Sequence, residues 1–403
     1  MKKHTDIQKI YYLSFFSNLF FILSFITPMY IKLGLNNYQI LLLQSIYTAL
    51  IFLFEIPSGA FSDTFGRKTT IIIASIAYCF GWISLIFAHN FFTFIIYQLF
   101  LAIGVSFNSG TLESFIYDHL KQYGKEEEYK STNANFNSYK FKALAISGII
   151  GTFLYWLIGF NWTLVFTVLA SLISVIISFL LHEPYDEISQ SNKRKKYFRI
   201  ISESGKLLLK NSKLKLYTFE SVFVYWITGT YFNFNLIFLK KCGFPVLLNG
   251  IYTSIIFILA SYCLKKYNIF ENIVKGEIAF LNIIKLLLAL LILIVPFISN
   301  GYILALLWLP IFILNYLRGP MISSILNKNI DSSVRATTLS FVSMFKNIGI
   351  IIWAPVFGYL SDLQNGTLIV SLTSSIALIL ILVLVRSIAP NLTNTKDQTS
   401  SIV

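Results

Sequence analysis

Six charged residues lie inside long apolar segments of the chain, where a charge is costly to bury. At the centre of a bilayer an ionisable side chain costs roughly 2.5–3.5 kcal/mol on insertion scales, so each such residue needs a partner or a function. The carboxylates could carry protons, and the cations could bind an anion. The six residues are Glu55, Glu113, Glu220, Lys285, Arg318 and Lys346.

Glu113 lies near the end of an apolar segment that also carries several polar residues. In a continuous helix each residue is rotated by about 100° from the one before it. If this segment is one continuous helix, these polar residues lie within an arc of about 80° around its axis. We therefore expect Glu113 to face a polar cavity. Asp118 points almost opposite, so we expect it to pack against or pair with Arg67. The predicted face consists of Gln98, Ala102, Ser106, Ser109 and Glu113.

A second polar face surrounds Glu220 in the first apolar segment of the second half. Glu220, Thr228, Tyr231 and Asn235 fall within another arc of about 80°. This pattern predicts a second group of side chains directed into a polar cavity. For the remaining polar residues of the apolar segments the sequence leaves a packing role open beside substrate binding, because amides also hydrogen-bond between helices; examples are Asn18, Gln44, Asn108 and Asn233.

Lys346 is the most informative of the cations. It follows Arg335 by eleven residues, which places it roughly 16 Å deep in a helix that rises about 1.5 Å per residue. Two roles remain open: an ion pair with Glu113 or Glu220, or a counter-charge for an anionic or zwitterionic substrate. Lys285 differs, because its position near the start of a segment predicts that its long stem snorkels toward the cytoplasm.

The composition requires a membrane around these charges. The chain has 403 residues, of which 56% are hydrophobic and only 12% are charged, whereas soluble domains carry about 25% charged residues. The net charge of +14 could suggest nucleic-acid binding, but that function needs a soluble module with clustered basic residues. Here the basic residues stand between apolar runs, so we expect no nucleic-acid partner.

Apolar runs long enough to cross a bilayer recur along the chain, and we count about twelve of them. A polar, basic stretch separates the first six from the last six, which predicts an all-α protein of two six-helix bundles. The predicted domains are residues 1–181, a linker at 182–213, residues 214–388 and a tail at 389–403. The predicted spans are residues 10–31, 38–60, 69–88, 91–118, 135–158, 161–181, 214–239, 246–266, 277–297, 300–325, 335–360 and 366–386.

The basic residues also predict the orientation. With both termini in the cytoplasm, 26 of the 32 Lys and Arg fall in inner segments and three in outer loops. Lys and Arg are enriched in cytoplasmic loops of membrane proteins. We therefore expect a multi-pass protein of the cell (inner) membrane with both ends inside the cell.

The loop after the second span, residues 59–68, reads Gly-Ala-Phe-Ser-Asp-Thr-Phe-Gly-Arg-Lys. Gly59 and Gly66 allow close backbone approach and a tight turn. Asp63 precedes a helix N-terminus, which favours an acid, and Arg67 can bind a carboxylate with two hydrogen bonds. With Lys68 and Asp118, these residues could form a latch between helices on the cytoplasmic face. The alternative is a simple basic turn.

This loop resembles the GxxxDxxGR[KR] signature of the major facilitator superfamily. Residues 55–59 (Glu-Ile-Pro-Ser-Gly) are similar to the EIPxG stretch of one bacterial branch, as is the stretch at residues 109–118, and residues 335–340 (Arg-Ala-Thr-Thr-Leu-Ser) resemble its RATxLS stretch. The resemblance implies the superfamily fold, transport by alternating access, and a cavity lined by the spans that carry Glu55, Glu113, Glu220, Arg318 and Lys346.

Two departures from the family pattern are visible. The loop between the eighth and ninth spans lacks the glycines and the Gly-Arg-Lys end, although a similar loop is expected there. Many members also carry an arginine four residues before the glycine of the fourth span, and this chain has Phe100 at that position, before Gly104. The second departure weighs against proton antiport by the arrangement common in the family.

The leading hypothesis is a secondary transporter that exports a small molecule, such as a drug, a siderophore or a metabolite, anions included, in exchange for protons. The titrating carboxylate would be Glu113 or Glu220. Proton-coupled uptake of a metabolite is the alternative. An intramembrane lipid-processing enzyme is remote, because no motif surrounds the four histidines. We expect no enzymatic activity, no cofactor and no metal; the partners are substrate, protons and the bilayer, with a functional monomer.

Overall fold

A computed structural model describes the backbone of residues 2–184, 211–265, 277–328 and 335–399. Within these ranges the protein is helical, and no strand occurs among them. Short 3₁₀ turns lie at Glu126–Glu128, Val246–Leu248 and Val295–Phe297. The helices are α1 (Lys2–Phe16), α2 (Leu23–Lys32), α3 (Asn37–Phe65), α4 (Arg67–Ile86), α5 (Phe91–Asn108), α6 (Thr111–Gln122), α7 (Tyr129–Phe179), α8 (Ser212–Lys241), α9 (Asn249–Lys265), α10 (Glu277–Ile294), α11 (Gly301–Lys328), α12 (Arg335–Asp362) and α13 (Gly366–Thr399).

Nine helices of the described residues are long and apolar enough to cross a membrane, or ten if the bent pair within α8 counts as one span. Two further features account for the difference from about twelve. α7 is a single long element, but Gly159 inside it has φ 76° and ψ −177°, so it holds two spans. The predicted first span is divided between α1 and α2, and each piece alone is too short. The predicted helical membrane fold is therefore confirmed.

The break in the first span has a local cause. The side chain of Asn18 donates a hydrogen bond to the Ser14 carbonyl at 2.8 Å, and asparagine side chains offer the backbone an alternative to helical hydrogen bonding. The chain resumes as α2, which contains Pro28. A prediction of one unbroken helix over residues 10–31 is therefore wrong in detail, because an apolar run does not show where a side chain competes with the backbone.

Side-chain caps define the beginning of several helices. Asn36 accepts a hydrogen bond from the Gln39 backbone, and Gln39 returns one to the Asn36 backbone, which forms a capping box at the start of α3. Asn90 and Thr93 form the same arrangement before α5. Such caps occupy amide groups that the first turn of a helix leaves without partners. The two helices therefore begin at fixed points after short turns.

The described chain clusters into two compact units. The first contains Met1–Ile188 together with Pro245–Ile258, and the second contains Ser189–Phe244 and Leu259–Val403. In the first unit, α5 packs against α3 and α4, and α1 packs against α7. In the second, α10 packs against α13, and α8 packs against α11 and α12. Most of the predicted linker, residues 185–210, and the predicted loop at residues 266–276 lie outside the described residues.

The placement of Pro245–Ile258 in the first unit departs from the predicted domains, which assign this segment to residues 214–388. The reason is close packing between α9 and α7. A Cβ on Gly148 would collide with the Gly250 carbonyl and the Ser254 hydroxyl, and Ser254 donates to the Ala145 carbonyl at 2.8 Å. Only glycine permits helix backbones to approach this closely.

Candidate functional site

The signature loop joins α3 to α4 at Gly66, whose φ of 93° is a conformation that residues with a side chain rarely adopt. Arg67 begins α4, and its Nε lies 3.4 Å from Asp118 Oδ2 on α6. Its Nη1 donates to the Ser62 hydroxyl at 2.9 Å. The loop therefore holds the ends of α3, α4 and α6 together, which is the geometry that a latch requires.

The remaining loop residues contribute less direct evidence. Gly59 is exposed within α3, and a Cβ there would meet nothing within 4 Å, so space does not require glycine at this position. The side chain of Asp63 lies outside the described residues. Lys68 takes part through its backbone, whose amide donates to Glu183. The role of this set as a conformational latch remains a prediction.

Glu183 is a member of the loop cluster that sequence reasoning missed. Its two carboxylate oxygens accept hydrogen bonds from the backbone amides of Arg67, at 2.6 Å, and Lys68, at 2.8 Å. These amides are among the unpaired donors of the first turn of α4, where the helix dipole also favours a negative charge. The carboxylate lies 116 residues away along the chain, so no local pattern could have identified it.

A second charged cluster lies beside this loop. Lys9 Nζ donates to Asp6 at 2.7 Å and to the Leu180 carbonyl at 2.8 Å, and His182 Nδ1 lies 3.1 Å from Asp6. Burial opposes the charged form of Asp6, but the hydrogen bonds and charges of Lys9 and His182 outweigh it, so the pKa of Asp6 is lowered from its ordinary 3.8. The cluster ties α1 to the end of α7.

The fourth span is not one helix, which corrects the predicted polar face. It divides into α5 and α6 at Ser109 and Gly110, and Gly110 has φ 71°. Gln98 is buried, and Ser106 donates to the Ile51 carbonyl of α3 at 3.2 Å, so these two face into their own unit. Glu113 is exposed in the first turn of α6. The break therefore separates Glu113 from the face to which helical spacing assigned it.

Glu55 lies on α3 two residues before Pro57, which is inside that helix. Its side chain is half-buried. The backbone carbonyl of Glu55 accepts a hydrogen bond from the Ser58 hydroxyl at 3.0 Å. Glu55 and Glu113 therefore occupy different helices of the first unit, α3 and α6.

Glu220 and Lys285 form the most deeply buried ion pair among the described residues of the second unit. Lys285 Nζ on α10 lies 2.9 Å from Glu220 Oε1 on α8, and both side chains are 0% exposed. Lys285 Nζ and Glu220 Oε1 do not meet the angles of a hydrogen bond, so their contact is an electrostatic ion pair. The expectation that Lys285 snorkels to the cytoplasm is wrong, because the attraction of Glu220 holds it inside the bundle.

The predicted cavity face of α8 is directed toward other helices of its own unit. Tyr231 donates a hydrogen bond to Ser371 of α13 at 3.2 Å, and Thr228, Tyr231 and Asn235 are all buried. The Asn235 amide donates to the Phe232 carbonyl of its own helix. These side chains therefore contribute to packing of the second unit, and helical spacing alone could not show which neighbour they face.

Arg318 of α11 completes a three-helix cluster around Glu220. The side chain is buried, with 5% exposure, and Nη2 makes one long contact of 3.5 Å with the Ser221 carbonyl. Arg318 lies within electrostatic range of Glu220 and Tyr225. Its Nε and Nη1 have no hydrogen-bond partner among the described residues.

Lys346 of α12 lies beside Tyr225 of α8. Its Nζ is 5.7 Å from the centre of the Tyr225 ring, a distance at which the ring face attracts a cation. In the described part of the second unit no carboxylate lies within ion-pair distance of Lys346, and Glu220 pairs with Lys285. Of the roles that the sequence leaves open for Lys346, an ion pair with Glu220 is therefore not observed among the described residues.

A close helix crossing positions Tyr225 and Lys346. The Nε1 of Trp226 donates to the Phe345 carbonyl at 3.1 Å, and a Cβ on Gly349 would fall within the Trp226 ring. Gly349 thus admits the indole, and the preceding residue in α8 comes to lie beside Lys346. Sequence reasoning missed Tyr225; the short spacing from Lys346 to Gly349 was the only available signal.

Within the described residues no group of three His, Cys, Asp or Glu side chains could hold a metal ion. The structure offers two separate candidate sites, one in each unit. The first is the loop around Arg67, and the second is the cluster of Glu220, Lys285, Arg318 and Lys346. The chemistry available to the second site is binding of charge and transfer of protons.

Comparison with known proteins identifies similar sequences and folds. The family profile of the Major Facilitator Superfamily matches residues 10–354. An uncharacterized transporter of Buchnera aphidicola subsp. Acyrthosiphon pisum (strain APS) is 25% identical over 343 residues, which cover 79% of each chain.

Three solved structures share the fold at low sequence identity. A point mutant of the nucleoside transporter NupG has a TM-score of 0.81 at 14% identity, over 96% of this chain and 99% of that one. A POT family transporter in complex with 5-aminolevulinic acid has a TM-score of 0.78 at 12% identity, over 96% of both chains. A bacterial homologue of the human lysosomal transporter Spinster, in an inward-facing and unoccupied conformation, has 0.73 at 16% identity, over 95% of both.

Proposed function

Because the chain belongs to the Major Facilitator Superfamily, and is therefore a membrane transporter, we propose that it exports a small molecule in exchange for protons by alternating access. The observation that carries the proton coupling is the buried pair of Glu220 and Lys285 with Arg318 beside it. Ionisable residues inside membrane spans are rare, and they commonly mark ion and substrate pathways.

The cluster supplies a physical route for coupling. A proton on Glu220 removes the charge that attracts Lys285 on α10 and Arg318 on α11. The three side chains come from three helices, so a change of charge at one carboxylate changes the forces between all of them. Protonation can thereby bias a two-state transport cycle, because a ligand shifts an equilibrium by its preference for one state.

Glu113 is the second carboxylate that we propose for proton binding. It is exposed in the first turn of α6, directly after the helix break at Gly110. A polar backbone break inside a span is tolerated where it is buried in protein or lines a water-filled cavity. A carboxylate at such a break can exchange protons with water, whereas Glu220 requires a movement of its helices first.

The proposed setting is the cell (inner) membrane, with both termini in the cytoplasm and a monomer as the functional form. The distribution of Lys and Arg between the loops supports this orientation. Analogy with the family makes export the first direction to test, and uptake by symport is the alternative. Reporter fusions would place the turn after Gly124 in the cytoplasm and the turn after Asn365 outside the cell if the orientation is right; the reverse result would contradict it.

The substrate can be found by comparing the metabolites released by cells with and without the gene. Right-side-out vesicles with an imposed pH gradient would then measure its movement. Export by proton exchange predicts that the vesicles expel the substrate when the outside is acidic. Accumulation under the same gradient would contradict export and support uptake by symport.

Two substitutions test the proton sites. Glu220→Gln keeps the size of the side chain but removes its charge, so we expect transport to become independent of the pH gradient, with a loss of at least about tenfold in gradient-driven rate. Glu113→Gln is expected to change the pH dependence. Glu127→Gln, at an exposed position, is the matched control. Coupling that survives both Glu220→Gln and Glu113→Gln would overturn the assignment.

A further inference from the structure

The membrane-spanning part of the second unit carries more positive than negative charge. Among its described side chains, one carboxylate, Glu220, and two cations, Lys285 and Arg318, are buried, and Lys346 is half-buried. Asp362 and Arg386 lie near the ends of their spans and are exposed. A buried charge is strongly unfavourable unless an opposite charge accompanies it. The cluster therefore lacks negative charge, and the question is which of its cations remains uncompensated.

Glu220 forms an ion pair with Lys285. The two atoms lie 2.9 Å apart and both side chains are fully buried. The charges of Lys285 and Glu220 thus compensate each other, and the pair has no net charge. Arg318 is attracted to the same carboxylate from a greater distance, but its hydrogen bonding within the described residues is limited to the 3.5 Å contact with the Ser221 carbonyl. Lys346 faces the ring of Tyr225.

The geometry around Arg318 resembles a binding site without its ligand. A guanidinium presents five donors in a planar arrangement that fits carboxylate and phosphate groups. Here Nε and Nη1 are buried and have no partner in the described part of the chain. A buried donor without a partner costs about 1–3 kcal/mol, more when it is charged, so a ligand that accepts these hydrogen bonds would be bound favourably.

Lys346 Nζ lies 5.7 Å from the centre of the Tyr225 ring. Arg318 is within electrostatic range of both Lys346 and Tyr225. Tyr225 is 36% exposed and Lys346 is half-buried, so this side of the cluster opens at the surface of the unit. The hydroxyl group of Tyr225 adds a donor at the same place.

The positions of the two cations along their helices agree. Lys346 follows the beginning of α12 by eleven residues, and Arg318 precedes the end of α11 by ten. At about 1.5 Å per residue these positions lie roughly 15–16 Å from Arg335 and Lys328, respectively, so the two cations lie at similar distances along their helices.

We propose that Arg318 and Lys346 bind the anionic group, a carboxylate or a phosphate, of the transported solute, with Tyr225 beside it. The inference rests on the proposed transport function and assigns its substrate class. Arg318 binds the anion through Nε and Nη1, and Lys346 adds a second positive charge. The Glu220–Lys285 pair is adjacent to the site and remains intact when the anion binds.

Opposite effects on stability distinguish this site from a structural ion pair. In purified protein without ligand, Lys346→Met removes an uncompensated cation, so we expect the unfolding temperature to rise, by about 2 °C or more. Lys285→Met is the matched control, because it makes the same change to a lysine whose carboxylate partner would be left alone, and it should lower the temperature. A fall for Lys346→Met similar to that for Lys285→Met would overturn the proposal.

Binding is measured with defined probes in nanodiscs of phosphatidylcholine. Benzoate, succinate and glucose 6-phosphate are each compared with the uncharged benzamide, succinamide and glucose, and the shift in unfolding temperature is recorded. A ligand that binds only the folded protein stabilises it by RT ln(1 + [L]/Kd). A shift in unfolding temperature is therefore expected when the probe is in about hundredfold excess over its dissociation constant. We expect an anion, and none of the uncharged compounds, to stabilise the wild-type protein, and Arg318→Gln to abolish the shift.

Two further outcomes are decisive. Stabilisation by phosphatidylglycerol in the nanodisc, lost in Arg318→Gln, with no effect of any soluble anion, would assign the site to a lipid headgroup and overturn the substrate proposal. Equal stabilisation of wild-type protein and Arg318→Gln by an anion would also overturn it. These measurements need no transport, so a vesicle experiment without substrate movement would count against the proposed function alone.

Discussion

The carboxylate of Glu183 lies 2.6 Å from the backbone nitrogen of Arg67, and this contact joins the end of α7 to the first turn of α4. The signature loop is therefore held from two directions, because the Arg67 side chain also approaches Asp118 on α6. Glu183 itself belongs to the linker that the sequence predicts over residues 182–213.

The cap can be tested by Glu183→Ala. Removing a side chain that caps a helix costs about 0.5–2 kcal/mol, so we expect a lower unfolding temperature in purified protein. Glu127→Ala, at another exposed glutamate, is the control and should have little effect. If the two variants unfold at the same temperature, the Glu183 contact contributes nothing to stability.

The pairing of Arg67 and Asp118 predicts non-additive effects. The two side chains are 19% and 17% exposed, so their coupling should be about 0.5–1 kcal/mol. We expect Arg67→Gln and Asp118→Asn each to slow transport, and the double variant to be no slower than the poorer single variant. A double-mutant cycle of transport rates measures this, and fully additive losses would show that the residues act separately.

Gly349 is predicted to be essential for the position of Tyr225. Gly349→Ala would place a methyl group inside the ring of Trp226, and overpacking of this kind costs typically about 1–3 kcal/mol. We expect a lower unfolding temperature and a loss of anion-dependent stabilisation. Gly319→Ala is the matched control, because a Cβ there would meet nothing within 4 Å. Wild-type behaviour of Gly349→Ala would refute the crossing.

The contact between α7 and α9 depends on two glycines. Gly250→Ala would bring a methyl group against the Gly148 carbonyl and the Thr152 hydroxyl. Displacing either helix backbone to make room would cost free energy, because the interior is close-packed. We expect destabilisation by about 1–3 kcal/mol and a fall in transport rate. Thermal unfolding and vesicle transport check this together. An alanine at residue 250 without effect on either would mean that the helices can separate freely.

Asp6 gives a prediction for pH. Its pKa is lowered from 3.8 in the folded protein, so the charged carboxylate contributes stability above its unfolded pKa. This contribution is lost as pH falls through the lowered folded pKa. We expect Asp6→Asn to unfold at a lower temperature than the wild type at pH 7, and the difference to vanish in strongly acidic buffer. A constant difference at all pH values would contradict the assignment.

The sequence was sufficient for the fold because composition and span length decide it. Long apolar runs must be helical in a bilayer, since every backbone group needs an internal partner. Helix breaks were harder to predict. The divisions at Asn18 and at Gly110 depend on one side chain or one backbone angle, and neither changes the hydropathy of the run.

The candidate site shows the same limit. Helical spacing named Glu220, but it could not show that Lys285 of a different helix would pair with it. The partner of Arg67 could be expected from the position of Asp118 on the neighbouring span, and the two lie 3.4 Å apart. Glu183 and Tyr225 act through packing between distant segments, and contacts of this kind leave no periodic trace in one sequence.

Gly159 gives the fifth and sixth spans an unusual mechanical relationship. The helical path of α7 changes direction through this one residue, so no intervening loop can absorb a displacement. A tilt of one span therefore reaches the other through a single pivot at Gly159, whose backbone adopts a φ of 76° without the strain that a side chain would add.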